Sequence, residues 1–197
     1  MYKRQKEILK DAAAIANATS RTLAFRSRSD TIKYYGKDSG WFTAFDGGSY
    51  QWLRDDGQGG RNKDARTLFF YIATVNTPAM VLEMVGVGSQ YALAATDAKG
   101  QYLDGSQNYR LTIPKDVPAK DFWSLVVYDP QTRSMLQTEQ PYPSKNNERN
   151  RDMQNDADGS TTIWFGPKAP TGKEANWIQT VPGKGWFVCL RLYGPLK

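Results

Sequence analysis

The sequence predicts a mainly β chain of the α+β class, in which two or three helices precede an antiparallel β-sandwich. Three observations carry this expectation. Apolar residues near the start recur at helical spacing, turn signals from Gln90 onward recur about every eight to twelve residues, and aromatic residues are abundant. The chain holds six Trp, eleven Tyr and eight Phe, which suit pleated, half-buried surfaces and so favour strands.

The first element rests on Ile8, Leu9, Ala12, Ile15, Ala16, Thr19 and Leu23, whose three- and four-residue spacing predicts an amphipathic helix from Tyr2 to about Phe25. Its apolar stripe needs a cover, so the sequence predicts a homo-oligomer or a contact with a partner domain, the alternative being that the helix folds back on the sandwich of its own chain. A polar stretch follows from Arg26 to Lys37. The segment Gly40 to Gly60, with its aromatic run broken by Gly47 and Gly48, reads as a loop with short or irregular strands. Asn62 can then cap a helix from Lys63 to about Val75, with Ala65, Leu68, Phe69, Ile72 and Val75 on one face. Asn76, Thr77 and Pro78 end it, and Pro78 can open a short third helix or turn through Met84, closed by the glycines of GVGS.

Candidate strands follow at Gln90 to Thr96, Asn108 to Ile113, Asp121 to Tyr128, Ser134 to Gln137, Thr161 to Phe165 and Gly185 to Tyr193. The turns AKGQYLDG and NDADGS supply Gly, Asp and Asn where positive φ is needed. Trp123, Leu125 and Val127 alternate with Phe122, Ser124, Val126 and Tyr128. In the last strand Arg191 shares a face with Phe187 and Cys189. A cation buried there needs a carboxylate or a ligand, and Asp64 is a candidate partner.

Composition excludes several chemistries. A chain of 197 residues can bury a core without metals or disulfides, and 40% apolar with 23% charged residues is the balance of a folded protein. No histidine is present, which removes His-based nucleophile pairs and His-containing zinc sites, and the lone Cys189 cannot form an intrachain disulfide. No cofactor and no bound transition metal are therefore expected. Cys189, within WFVCLRLYG, reads as a buried core thiol. The net charge of +6 is spread along the chain, and only Arg21, Arg26, Arg28, Lys33 and Lys37 form a basic stretch without a nucleic-acid motif. Nucleic acid is not an expected partner. No apolar run reaches the roughly 20 residues of a membrane span.

Five stretches in fixed order carry a family pattern: DARTLFFYIATVNTPAM, GVGSQYALAATDAKGQYLDGSQNYRLTIP, FWSLVVYDPQTRSML, NDADGSTTIWFGPKAP and NWIQTVPGKGWFVCLRLYGP. Together they resemble the family catalogued as domain of unknown function 1214, from about Asn62 to the end of the chain. The resemblance implies a jelly-roll-like sandwich over residues 62–197, preceded by a helical and irregular connecting region over residues 1–61. It also implies a bacterial and often exported protein, and an upstream domain of the 1254 type that this chain largely lacks. The chain is therefore expected to be a fragment or a truncated product. The family brings no established catalytic residues.

Candidate chemistry rests on single residues. NDADGS places Asp156, Asp158 and Ser160 as in a calcium loop but lacks the distal bidentate carboxylate, and the same letters suit a hairpin turn. Asp64, Asp121, Asp129, Glu139 and Glu174 are candidate carboxylates for histidine-free acid/base chemistry. Trp123, Tyr128, Trp164, Trp177, Trp186 and Tyr193 lie in or beside the strands, where an exposed aromatic can stack on a sugar or another ligand. The candidate ligand-binding residues are Asp64, Arg66, Trp123, Tyr128, Arg133, Asn176, Trp177 and Arg191. The leading expectation is an accessory domain that binds a carbohydrate or another small ligand, or packs against a partner domain. The alternative is part of a carboxylate-based hydrolase whose site lies at the junction with the missing domain.

Overall fold

The computed structural model describes residues 2–27, 29–46, 51–73 and 84–196. The chain divides into two compact units, Met1–Lys37 with Thr43–Leu82, and Asp38–Phe42 with Glu83–Lys197.

The first unit is built on two helices. Helix α1 spans Lys3–Phe25, opened by the Gln5 side chain, which accepts the Tyr2 N–H at 3.1 Å. Helix α2 spans Lys63–Ala73, and the Asn62 side chain caps it by accepting the Ala65 N–H at 3.1 Å. The helices pack together, with Phe25 edge-on to Tyr71. Phe69 anchors the core of this unit, its ring centroid 5.1 Å from those of Phe45 and Trp52, beside buried Leu68 and Ala65. The expected stripe on α1 is present but uncovered: Ile8, Leu9 and Ile15 are 57%, 56% and 68% exposed. The expected end of the second helix at Asn76 to Pro78 lies outside the described residues, as does most of the third helix or turn. Among the described residues no helix is long and apolar enough to cross a membrane.

The second unit holds all eight strands: β1 Trp41–Phe42, β2 Ser89–Ala94, β3 Tyr109–Ile113, β4 Ala119–Tyr128, β5 Ser144–Asn146, β6 Thr161–Gly166, β7 Trp177–Gln179 and β8 Phe187–Pro195. One sheet has the order β1-β2-β8-β4-β5 and the other β3-β6-β7. Every pairing is antiparallel except β6 with β7. The chain is thus α+β with two sheets, and among the described residues its α-helices precede β2.

Alternation along the strands builds the core. Trp123, Leu125 and Val127 of β4 face Leu192, Leu190 and Val188 of β8, and this inner layer meets Ile113, Ile163, Phe165 and Ile178 of the other sheet. Leu125, Val127, Ile163 and Ile178 are fully buried. Loops lock the end of this core closely: the Thr180 hydroxyl donates to Gly105 O at 2.9 Å, and the Gly105 N–H donates to Lys184 O at 2.8 Å. A Cβ at Gly105 would lie 2.1 Å from Val181 O, so only glycine fits there.

The expected strand at Ser134 to Gln137 is reduced to an isolated bridge between Met135 and Tyr128. Arg133 adopts φ 59, a left-handed turn immediately before it, and Leu136 is pulled into the core, so no ladder extends. Two short strands, β5 and β7, appear where no strand was expected, while β1 lies in the segment Gly40 to Gly60 that reads as a loop with short or irregular strands.

Candidate functional site

The second unit carries a groove of about 530 Å³ whose lining comes from well-separated pieces of chain. Asp38 to Trp41 forms one side, the loop Thr96 to Lys99 another, and Tyr109 to Leu111 of β3 a third, above Phe165, Trp186 and Val188. A Cβ on Gly40 would come 2.9 Å from Thr96 Oγ1, so glycine lets the segment before β1 lie against the loop after β2. Trp186 stacks on Phe165 with ring centroids 5.0 Å apart and meets Tyr109 edge-on at 5.5 Å. Trp41 and Tyr109 are half-buried and keep part of their rings open, while Asp38, Lys99 and Arg110 are exposed beside them.

Among the residues lining this groove, Trp186 carries a polar group without a partner. Trp186 is only 3% exposed, and its Nε1–H is buried without a hydrogen-bond partner. Leaving such a donor unsatisfied costs roughly 1–3 kcal/mol, so an acceptor brought to it gains that much back. Asp97 does not supply one, because its Oδ1 already accepts the N–H groups of Lys99 and Gln101, each at 2.9 Å.

The opposite face of the five-stranded sheet carries Arg191. The register sets it between Tyr91 on β2 and Ser124 on β4. Its guanidinium lies 5.7 Å from the Tyr91 ring centroid and 6.0 Å from that of Tyr128, and donates a hydrogen bond to the Tyr128 hydroxyl. Among the described residues of its own unit, Arg191 enters no ion pair. Burial works against its charge, and the hydroxyls of Tyr193 and Tyr128 hold it above its ordinary value. On the same face, burial pushes the Cys189 thiol up to about 11 despite the nearby Arg191, in keeping with a buried core thiol.

The remaining sequence-derived candidates fall elsewhere. Trp123 packs in the core on the side of β4 away from Arg191, with its backbone N–H donating to Asn147 Oδ1 at 2.8 Å. Asn176 is 5% exposed, accepts the Gln154 N–H, and donates to Gln154 O and Thr162 O, all within 2.9 Å. These bonds tie a loop to β6. Trp177 donates its indole N–H to Gly166 O at 3.0 Å between β7 and β6. Arg133 donates to Gln131 O at 2.6 Å in its own turn. Of the eight candidates, Tyr128 and Arg191 are joined by a side-chain hydrogen bond.

Asp64 and Arg66 belong to α2 in the first unit, where Arg66 lies 5.7 Å from the Phe70 ring centroid. Asp64 lines a cleft of about 650 Å³ together with Asp46 and Asp55. Asp46 is 9% exposed, accepting from the Thr31 hydroxyl and, at 3.1 Å, from Asn62 Nδ2.

The other carboxylates take local roles. Asp129 accepts the Gln131 N–H at 2.7 Å and pairs with Lys184 at 3.2 Å. Glu174 accepts the Gly172 N–H at 3.1 Å. Asp121 and Glu139 are exposed. In NDADGS, Asp158 accepts the Ser160 hydroxyl at 2.6 Å and Asp156 accepts the Thr162 hydroxyl at 2.6 Å, which is turn chemistry. Among the described residues no group of three or more acidic or Cys side chains could hold a metal ion. Sequence reasoning named Trp186 only as one aromatic among several. No local signal shows that its indole lacks an acceptor or that Trp41 joins it.

Residues 88–197 match a family described as "Protein of unknown function (DUF1214)". Among curated proteins nothing matches this chain. Two solved structures resemble it. The VPA0106 protein from Vibrio parahaemolyticus aligns at 21% identity and TM-score 0.51, over 99% of this chain and 42% of that one. An uncharacterised protein from Burkholderia cenocepacia aligns at 16% identity and TM-score 0.42, over 94% of this chain and 38% of that one. The first of these shows a shared fold. The chain spans about two fifths of the length of both.

Proposed function

We propose that this chain, which belongs to the family of proteins of unknown function DUF1214, is a ligand-binding domain whose groove takes a small ring-shaped ligand such as a carbohydrate. The observation that carries the reading is an aromatic groove of about 530 Å³ lined by Trp186, whose buried Nε1–H has no hydrogen-bond partner. Small-molecule sites are concave, mostly apolar and furnished with a few convergent polar groups. A sugar offers an apolar ring face to Trp41 or Tyr109, hydroxyl oxygens to the indole N–H, and further hydroxyls to the exposed Asp38, Lys99 and Arg110. Two sheets closing over one core support a jelly-roll-like sandwich as the scaffold. The bare stripe of Ile8, Leu9 and Ile15 supports a second copy or a partner domain seated on α1.

The test is a titration with neutral mono- and disaccharides, followed by the indole N–H resonance of Trp186 in NMR spectra. Binding shifts that resonance, and Trp186→Phe, which keeps a ring but removes the donor, weakens binding roughly tenfold. A Trp186 resonance that no sugar moves refutes the reading.

A second reading, carboxylate-based hydrolysis, is favoured by Asp46, Asp55 and Asp64 lining one cleft in the first unit. It requires turnover of a glycoside or ester that Asp64→Asn abolishes.

A further inference from the structure

We infer that the five-stranded sheet holds a second ligand site on the face opposite the groove, for a small organic carboxylate with a flat apolar body, centred on Arg191. The argument begins from charge. A guanidinium set among aromatic rings carries a full positive charge in a poorly solvating place, and such a charge is ordinarily matched by an acid. Here the side chains around it are phenols: Tyr128 accepts its hydrogen bond, Tyr193 adds a second hydroxyl, and Tyr91 lends a ring face. No ion pair involves Arg191 among the described residues. The Arg191 Nε–H is buried without any partner, so one donor of the fork is unsatisfied.

The donors around it suit a carboxylate. Because the Tyr128 oxygen accepts from Arg191, its own proton remains available to donate. Burial raises the Tyr128 pKa above its ordinary 10.0, with Arg191 opposing, so the phenol keeps that proton at neutral pH. Ser124, paired with Arg191 across β4 and β8, brings a buried hydroxyl to the same row of the sheet. A planar carboxylate matches the guanidinium fork in geometry and charge. The rings of Tyr91 and Tyr128 on either side favour a flat apolar body behind it. A phosphate, with its larger charge and hydration, is the poorer fit to these aromatic walls.

This site is independent of the groove, since Arg191 and the groove residue Val188 project to opposite faces of β8. The experiment uses the whole chain with benzoate, its neutral isostere benzamide, and inorganic phosphate as probes at constant ionic strength. Benzoate is expected to raise the melting temperature in a concentration-dependent way and to give saturable binding by calorimetry, while benzamide and phosphate do neither. Arg191→Met abolishes the benzoate effect, and Tyr128→Phe, which keeps the ring and the cation, weakens benzoate roughly tenfold. Should Arg191→Met fail to fold, Tyr128→Phe together with the benzoate–benzamide contrast decides the matter. An equal response to benzamide, a stronger response to phosphate, or unaltered benzoate binding in Tyr128→Phe overturns the proposal. A failure here leaves the sugar titration at Trp186 untouched, and the converse also holds.

Discussion

Arg191 and Tyr128 meet across the β4–β8 pair, the guanidinium donating to the phenol oxygen on the face of the sheet that turns away from Trp123. Cys189 lies on that same face, two residues before Arg191, and both titratable neighbours are held protonated by burial. The unfolded thiol loses its proton near 9.0, whereas the folded one keeps it until about 11. Between those values the unfolded state binds fewer protons, so stability falls as pH rises through this window. The full loss is roughly 2–3 kcal/mol. Tyr128 adds to it above 10.0. Urea unfolding of the parent and of Cys189→Ala from neutral to alkaline pH should show a shallower decline in the variant. Equal slopes would remove Cys189 from the account.

Asp129 sets the acid limit in the same way but with opposite sign. Burial works to raise its carboxyl, yet the Gln131 N–H and the Lys184 ammonium outweigh it and hold the group below its ordinary 3.8. The stability it contributes is complete above 3.8 and is lost as pH falls through the lower folded value. Asp129→Asn should cost about 1–2 kcal/mol at neutral pH and flatten the acid side of the stability profile. Lys184→Ala should cost less than about 1 kcal/mol, because surface partners contribute little. The Lys184 side chain is 49% exposed against 11% for Asp129. Thermal melts across pH 3 to pH 7 measure both effects.

Much of the second unit was legible because its inner strands alternate cleanly. Trp123, Leu125 and Val127 declare one face of β4, and the same alternation puts Arg191 on a face with Phe187 and Cys189. The strands β5 and β7, with Ser144–Asn146 and Trp177–Gln179, are three residues each and carry no period long enough to read. Pairing partners create them. The need of Arg191 for a carboxylate or a ligand is legible in the strand pattern, but no local pattern shows that the phenols of Tyr128 and Tyr193 stand beside it. The groove was invisible for a related reason: Trp41, Tyr109 and Trp186 are far apart in sequence and are joined by strand order alone.

The stripe on α1 yields a prediction about association. Ile8 and Ile15 are more than half exposed, so replacing them should not unsettle the core. The doubly substituted Ile8→Glu, Ile15→Glu chain should melt within about 1 °C of the parent. Light scattering over a dilution series should show the parent associating and the variant monomeric. A parent that stays monomeric at every concentration would leave the stripe without the proposed cover.

β8 lies at the middle of the five-stranded sheet, between β2 and β4, although it is the last strand in sequence. Ser89 is paired with Tyr193 and Ala119 with Pro195, so neither flank of the sheet can close until the ribosome has delivered residues far downstream. During that interval β2 and β4 present unpaired edges and the apolar faces destined for the core. Contacts of such long sequence separation slow folding, and the waiting strands are the segments most exposed to misassociation. β2 and β4 are thus the strands whose pairing waits on the most distant contacts in the sheet.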